Sequence, residues 1–230
     1  MSLYVIGDLH LSLSTNKSMD IFPGWENYVQ RIYDNWLKTV KPDDTVVLLG
    51  DISWAMKLHE LDADFSFINS LPGKKIIIKG NHDYWWNTYS KMNKYVENKG
   101  FSTINFLHNN AYLVEGVSIC GTRGWINDDS EPFDQKVLAR EAGRLELSIK
   151  EGIKLGGELI AFLHYPPIFG EEVNESILQV LNRYGVKRCF YGHLHHLATR
   201  KAVNALVNNI EYRLVSADFV KFCPIQVLPK

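Results

Sequence analysis

A chain of 230 residues is long enough to bury one substantial hydrophobic core, so we predict a single domain over residues 1–230. Hydrophobic residues at 46% and charged residues at 22% are ordinary values for a globular protein, which excludes a disordered or fibrous chain. A net charge of -1 with scattered basic residues argues against nucleic acid as a partner, and no apolar run reaches membrane-spanning length.

Hydrophobic runs and amphipathic segments alternate along the chain. Buried strands are predicted at residues 3–7, 46–49, 75–79, 159–163 and 187–191, with shorter strands at 112–114 and 117–120. Helices are predicted at residues 25–40, 58–71, 88–98, 133–151 and 172–184, the first ended by Pro42 and the last capped by Gly185. The tail, at residues 210–215 and 225–228, is typical of paired strands. This alternation predicts an α/β fold with parallel strands and extra sheet in the tail.

Each of the five buried strands is followed at once by residues that can bind a metal ion. The motifs are Asp8-Leu9-His10, Gly50-Asp51, Gly80-Asn81-His82-Asp83, His164 and Gly192-His193-Leu194-His195. In an open α/β sheet, polar groups that follow parallel strands gather in the crevice at the carboxyl ends of those strands. Side chains from nearly the whole chain are therefore expected to meet in one place.

The donor atoms in these motifs are histidine nitrogens and carboxylate or amide oxygens, with no cysteine among them. That set suits manganese, iron, zinc or nickel and does not suit a thiolate-rich structural zinc site. The i, i+2 spacing of Asp8 with His10, repeated in His193 with His195, is expected to point both side chains of a pair the same way. Two such pairs can hold more than one ion, and the two carboxylate oxygens of Asp51 allow it to bridge two cations.

A charge count indicates what such a centre would bind. Two divalent ions carry four positive charges, and Asp8 and Asp51 remove two of them, because the histidines and Asn81 are neutral ligands. The remaining charge is +2, or +1 with a bridging hydroxide. This surplus favours an anionic substrate such as a phosphate ester, and it lowers the pKa of metal-bound water.

Taken in order, the five motifs resemble the complete motif set of the calcineurin-like metallophosphoesterases, over residues 8–195. The resemblance implies a two-sheet β-sandwich flanked by helices, a four-layer αββα arrangement within the α/β class. It also implies a ligand set for each of two divalent ions. One ion would take Asp8, His10, Asp51 and His195, and the other would take Asp51, Asn81, His164 and His193. His82 would be the catalytic histidine near the leaving group.

Departures from the family patterns narrow the subclass. The protein serine/threonine phosphatases carry a second Asp and an Arg after the first Gly-Asp, and both are missing after Asp51. Purple acid phosphatases place a tyrosine ligand three residues after the bridging aspartate, where this chain has Trp54, whose indole N–H cannot coordinate a metal. The chain is more similar to the small bacterial phosphohydrolases and phosphodiesterases, a group that does not fix the substrate.

Several residues beside the motifs have two interpretations. Trp54 and Trp85, with Tyr84 and Trp86, could form an aromatic wall for the organic part of a substrate, or they could pack in the core. Arg123 could bind phosphate through its guanidinium or form a surface salt bridge. Asp83 could orient His82 or cap the following helix. His196 is expected to point away from the centre.

We therefore predict a cytoplasmic, two-metal phosphohydrolase in which a hydroxide attacks a small phosphomonoester or phosphodiester. Cys120, Cys189 and Cys223 form no C-x-x-C pair and are predicted to be reduced core thiols, and the N-terminus shows no signal-peptide pattern. A nuclease acting on single-stranded or small nucleic acid is the alternative enzyme, although the basic surface for a duplex is missing. A non-catalytic interaction scaffold is the alternative of another class, but such a protein should have lost ligands.

Overall fold

The structure, a computed structural model, describes residues 1–125 and 134–228. The longer strands are β1 (Leu3–Ile6), β2 (Thr45–Leu48), β3 (Lys74–Ile77), β4 (Ile104–Phe106), β5 (Tyr112–Val114), β6 (Val117–Thr122), β7 (Glu158–Leu163), β10 (Arg188–Tyr191) and β12 (Ile210–Leu214); β8 (Ile168–Phe169), β9 (Glu172–Val173), β11 (Leu206–Val207) and β13 (Ile225–Gln226) are two-residue strands. The helices are α1 (Tyr28–Thr39), α2 (Asp62–Ser70), α3 (Tyr89–Lys99), α4 (Gln135–Leu155) and α5 (Glu175–Arg183).

Two large mixed sheets form the centre of the molecule. The first has the order β13-β1-β2-β3-β4, and the second has the order β11-β12-β10-β7-β6-β5. Strands β1 to β4 are parallel to one another, as are β6, β7, β10 and β12. Antiparallel neighbours β13, β5 and β11 lie at the edges. The predicted parallel arrangement is therefore correct for the inner strands of both sheets.

The hydrophobic core has three layers because each strand buries both of its faces. Alternate residues such as Val47 and Leu49 meet the second sheet in the centre of the sandwich. Their neighbours Val46 and Leu48 face α1, α2 and α3 on the outside of the first sheet. A third cluster, which includes Leu145, packs α4 and α5 on the outside of the second sheet. The predicted four-layer αββα arrangement is confirmed.

Three predicted helices are shorter than their periodicity suggests. Helix α1 begins only at Tyr28. The segment at 58–71 divides into a 3-10 turn at Leu58–Glu60 and helix α2. The segment at 172–184 begins as strand β9, because the Asn174 side chain accepts a hydrogen bond from the Ile177 N–H at 3.0 Å and starts α5 only at Glu175. Helix α4 runs to Leu155, beyond its predicted end, and the predicted start at residue 133 lies outside the described residues.

The tail strands do not pair with each other, so that prediction was wrong. Strand β12 pairs with β10 in the second sheet, whereas β13 pairs with β1 in the first. Between them the chain crosses from one sheet to the other. The Gly7 N–H donates to the Val215 carbonyl at 2.8 Å, and the Ala217 N–H donates back to Gly7 at 3.0 Å. Strand β4, which no pattern predicted, adds a further parallel strand beside β3.

The parallel strands of both sheets end at a common edge. Strands β1, β2 and β3 of the first sheet and β7 and β10 of the second bring their following loops together there, as the bridge between Gly7 and Ser216 and the hydrogen bonds across the loops show. Among the described residues, no helix has the combination of length and apolar character that a membrane span requires.

Candidate metal centre

Sharp backbone turns, and not strand alternation, aim the predicted ligands. Asp8, His10, Asp51 and His193 all have positive φ angles, of 58°, 46°, 49° and 71°. Their chain segments have left the extended conformation, so the predicted i, i+2 rule does not describe them. Left-handed backbone at residues other than glycine costs of order 1–3 kcal/mol each and tends to occur at functional sites.

Two glycines make room for the carboxylates of the centre. A Cβ atom at Gly80 would overlap the Asp51 Oδ1 atom and the Asp51 backbone nitrogen. A Cβ atom at Gly192 would overlap the Asp8 carboxylate. Any larger residue at either position would displace an aspartate, so these glycines are required by close approach.

The structure brings one group of predicted ligands together around His10. Its Nε2 atom lies 3.3 Å from His195 Nε2 and 3.8 Å from Asp51 Oδ2. The His195 Nε2 atom in turn lies 3.7 Å from Asp8 Oδ1. Asp8, His10 and His195 offer ligand atoms close enough to one another to hold a single metal ion.

A second group forms around Asn81. The Asn81 Oδ1 atom lies 2.6 Å from His164 Nε2 and 3.0 Å from His193 Nδ1. The His164 Nε2 atom is also 3.6 Å from Asp51 Oδ2. The same carboxylate oxygen of Asp51 therefore faces one histidine of each group, and all seven predicted ligands are accounted for in the two groups.

Hydrogen bonds made by the Nδ1 atoms of two histidines leave their Nε2 atoms directed into the centre. The His164 Nδ1–H donates to the Leu49 carbonyl at 2.8 Å. His195 Nδ1 lies 2.8 Å from Asp218 Oδ1, so a proton on Nδ1 is shared with that carboxylate. Outer partners of this kind fix the ring tautomer and orientation of metal-binding histidines.

Three carboxylates are crowded together in the centre with little solvent. Asp8, Asp51 and Asp83 are all buried, and no Lys or Arg within residues 1–125 and 134–228 forms an ion pair with any of them. Burial, and then the neighbouring carboxylates Asp83 and Asp8, hold the pKa of Asp51 well above its usual value. A cation bound here would offset the cost of burying these carboxylates close together.

The histidines respond to the same surroundings in opposite directions. Burial lowers the pKa of His164 to about 3 and holds the pKa of His10 well below its ordinary value. Burial also acts to lower the pKa of His195, but the hydrogen bonds that its imidazole donates to Asp218 and Asp8 outweigh burial and raise that pKa to about 10. Burial thus favours the neutral imidazole at His10 and His164, whereas a positive charge is favoured at His195. Nitrogen and oxygen donors in this combination fit borderline divalent metal ions.

Asp83 has neither of the two roles considered for it. Its carboxylate accepts hydrogen bonds from the backbone N–H groups of Asp51 at 2.9 Å, Ile52 at 2.9 Å and Gly80 at 2.7 Å. The Trp85 indole N–H adds a fourth at 3.0 Å. Asp83 therefore fastens the loop after β2 to the loop after β3 and holds the Asp51 backbone in place.

His82 lies at the side of the centre, beside Trp54. The ring centroids of His82 and Trp54 are 4.6 Å apart, and Trp54 also stacks on His10 at 5.1 Å. The His82 backbone N–H donates to Asp51 Oδ1 at 2.7 Å. The imidazole is half-buried, and burial lowers its pKa.

The predicted aromatic wall is only partly present. Trp85 is 1% exposed and packs in the first core against Phe65, so it cannot line a cleft, and that expectation is corrected. Trp54 is half-buried and lines a cavity of about 700 Å³, together with Leu13, Lys17 and Phe22. His196 is exposed, in agreement with its predicted orientation away from the centre.

Arg123 forms an ion pair, but not at the surface. Its side chain is 13% exposed, and its Nη2 atom lies 3.6 Å from the fully buried Glu141 of α4. Its backbone carbonyl accepts hydrogen bonds from the N–H groups of His164, at 3.2 Å, and Tyr165, at 2.8 Å. Arg123 is therefore next to the centre through its backbone, while its side chain lines a separate cavity.

Sequence reasoning missed Asp218 as a partner of the centre. The residue reaches His195 because the chain crosses between the sheets after β12, which pairs with β10. A polar residue shortly after a predicted strand was the signal that could have identified it, because Asp218 follows the predicted strand at 210–215 as the other motifs follow theirs. Tyr165, whose ring centroid lies 4.2 Å from that of His193, was also missed.

Comparisons with known proteins identify the family of the chain and other proteins with its fold. A family model described as calcineurin-like phosphoesterase matches residues 1–197. Solved structures that share the fold include the following three. A protein of unknown function from Aquifex aeolicus is 19% identical, with a TM-score of 0.52 and coverage of 98% of this chain and 95% of that one. A phosphopantetheinyl hydrolase from Mycobacterium tuberculosis is 14% identical, with a TM-score of 0.54 and coverage of 100% and 96%. A protein from Thermus thermophilus is 12% identical, with a TM-score of 0.57 and coverage of 97% and 96%. No curated protein matches the chain.

Proposed function

The chain belongs to the calcineurin-like phosphoesterase family and is a metal-dependent hydrolase of phosphate esters, and on this basis we propose that it uses two divalent ions to hydrolyse small phosphomonoesters or phosphodiesters. The observation that carries the proposal is the position of Asp51 Oδ2. It lies 3.8 Å from His10 Nε2 on one side and 3.6 Å from His164 Nε2 on the other. A carboxylate oxygen between two groups of donors is suited to bridge two cations.

The two groups of donors define the proposed ligands. Asp8, His10, Asp51 and His195 would hold one ion, and Asp51, Asn81, His164 and His193 would hold the other. When bound, manganese, iron, zinc or nickel ions neutralise charge on the phosphoryl oxygens and make a nucleophilic water available near neutral pH. The carboxylates of Asp8 and Asp51 leave the centre with a positive surplus that holds an anionic ester.

His82 is the proposed proton donor to the leaving oxygen. Its backbone is tied to Asp51, which places the imidazole beside the centre without using it as a ligand. The ring packs between Trp54 and Tyr84, whose hydroxyl lies 3.4 Å from His82 Nδ1. This packing restricts the ring and leaves Nε2 as the nitrogen that would meet the substrate.

No feature of the described residues favours the nuclease or the scaffold over this function. The prediction of a cytoplasmic location stays a prediction.

Metal analysis with a substrate panel tests the proposal. Protein stripped with a chelator should be inactive, and manganese, iron, zinc or nickel should restore hydrolysis of 4-nitrophenyl phosphate or bis(4-nitrophenyl) phosphate. Failure of every metal to bind or to restore turnover of either ester would overturn it.

Asp218 should control metal affinity through His195. Asp218→Ala is expected to weaken metal binding about 10–100-fold, which is the usual effect of removing an outer partner of a metal-binding histidine. Asp218→Asn should lose less metal affinity than Asp218→Ala, since the amide oxygen of asparagine can still accept a hydrogen bond from the His195 Nδ1–H. Metal titration monitored by calorimetry checks this order. Equal affinities for the wild type and Asp218→Ala would show that the contact does not orient His195.

Trp54 should set the preference for large leaving groups. Trp54→Ala is expected to raise KM for 4-nitrophenyl phosphate roughly 3–10-fold more than KM for acetyl phosphate, since aromatic stacking adds about 0.5–1.5 kcal/mol to binding. Trp54→Phe is the matched control, because Trp54 Nε1 has no hydrogen-bond partner within the described residues and phenylalanine keeps the ring face. If Trp54→Ala lowers only the melting temperature and leaves the KM ratio unchanged, Trp54 is a packing residue.

A further inference from the structure

A second cavity, of about 260 Å³, lies beside the metal centre and is lined by cationic side chains. Its lining includes Lys79, Thr88, His108, Arg123, Glu141 and Arg144. A water molecule occupies about 30 Å³ in the liquid, so the cavity has room for a group larger than water. None of the seven proposed metal ligands, all of which the structure describes, lines it.

The cavity occupies the next position along the edge that carries the metal centre. The centre uses the carboxyl ends of β3 in the first sheet and β7 in the second, and the cavity lies at the ends of β4 and β6, their neighbours. Lys79 precedes Asn81 by two residues, which places their Cα atoms within about 7 Å of each other. The cavity and the metal centre therefore use neighbouring residues of one loop.

One buried carboxylate organises the cations of the cavity. Glu141 is fully buried and accepts hydrogen bonds from Thr122 Oγ1 at 2.7 Å and Arg144 Nη1 at 2.8 Å. Arg140 Nε lies 3.4 Å from the same carboxylate, and Arg123 Nη2 lies 3.6 Å from it. Glu141 thus holds three guanidinium groups in place, two of which line the cavity.

The described lining carries more positive charge than Glu141 can neutralise. Lys79, Arg123 and Arg144 contribute three positive charges against one negative charge, which leaves +2. An excess of this size matches a phosphate dianion better than a singly charged carboxylate.

Arg123 also has an unused donor. Its Nε atom is buried and has no hydrogen-bond partner among residues 1–125 and 134–228. Its Nη2 atom makes a long contact with Glu141, at 3.6 Å. A guanidinium with an N–H group that lacks a partner is suited to donate to phosphate oxygens, because arginine binds phosphate through two parallel N–H groups.

We propose that this cavity binds a second phosphate group of the substrate, so that the physiological substrate is a small molecule with two separated phosphates. One phosphate is hydrolysed at the metal centre, and the other is held by Arg123, Arg144 and Lys79. This inference rests on the proposed function of the metal centre. It also gives Arg123 a substrate-binding role at a position other than the scissile phosphate.

Phosphate binding to chelator-treated protein tests the cavity apart from the metal centre. Calorimetry with inorganic phosphate should show one site on the metal-free chain, and Arg144→Gln should weaken it roughly tenfold or more, the usual effect of losing a hydrogen bond to a charged group. Arg140→Gln is the matched control, because Arg140 also pairs with Glu141 but does not line the cavity and is 51% exposed. It should change the affinity less than about twofold. Absent binding, or equal losses in the two variants, overturns the proposal.

A series of bisphosphates tests the link to the substrate. The assay measures inhibition of 4-nitrophenyl phosphate hydrolysis by metal-loaded protein. The inhibitors are the bisphosphates of 1,4-butanediol and 1,6-hexanediol, and butyl phosphate and hexyl phosphate are their matched monophosphates. At least one bisphosphate should have a Ki about tenfold or more below that of its monophosphate, and Arg144→Gln should abolish this advantage while Arg140→Gln keeps it. No advantage at either length overturns the inference. If the metal-loaded wild type does not hydrolyse 4-nitrophenyl phosphate at all, the result would instead count against the proposed function.

Discussion

Asp51→Asn is expected to empty both halves of the metal centre and to reduce kcat/KM by about 10³-fold or more. Asp51 Oδ2 faces His10 in one group and His164 in the other, so both ions depend on it. The substitution removes one of the two negative charges that the proposed ligands contribute. A loss of several kcal/mol of charge stabilisation corresponds to this fall in rate. Metal analysis and turnover of 4-nitrophenyl phosphate measure the two effects.

Asp64→Asn is the control for this substitution, because Asp64 is also fully buried but lies outside the metal centre. Its carboxylate accepts hydrogen bonds from the Leu13 N–H, at 2.7 Å, and from Ser53 Oγ. Asp64→Asn should therefore lower the melting temperature without removing metal. If Asp51→Asn keeps its metal and its turnover, the bridging role is wrong and the two-ion proposal falls with it.

His82→Ala is expected to keep its metal content yet lose about 10²–10⁴-fold in rate, the range for a positioned acid or base. The imidazole lies beside Trp54 and is not one of the proposed ligands, whereas the backbone N–H that bonds to Asp51 survives the substitution. The loss should be larger for an alkyl phosphate than for 4-nitrophenyl phosphate, because an alkoxide leaving group needs the proton more. Rates on both esters, with metal analysis, separate chemistry from binding.

His195→Ala provides the contrast, because His195 Nε2 lies in the first group of donors, 3.3 Å from His10 Nε2. It should lose metal and activity together. Two results would contradict the role of His82. If His82→Ala releases metal, the residue is a ligand or supports one. If the rate on an alkyl phosphate is unchanged, the proton comes from another group.

The sequence was informative about the site because the residues of the site directly follow buried strands, which can be recognised from short stretches of sequence. A buried strand is recognisable from a short hydrophobic run, and the residue that follows it must leave the sheet at the carboxyl end. This reasoning places Asp51 after β2 and His164 after β7, and the structure brings them within 3.6 Å of each other. Asp8 and His10 converge on one place as predicted, but positive φ angles, and not strand alternation, direct both side chains there.

Hydrophobic period and residue chemistry are local properties, so the sequence alone was sufficient for the α/β class, the parallel strands up to β10 that carry the centre, and the seven side chains that converge at their ends. The tertiary structure was needed to establish which neighbours those side chains meet. Trp54 and Trp85 are indistinguishable by type, yet one lines a cavity and the other is in the core. Asp218 reaches His195 only because β12 and β13 join different sheets. Such contacts depend on pairings between distant segments, and no local pattern encodes the order of strands in a sheet.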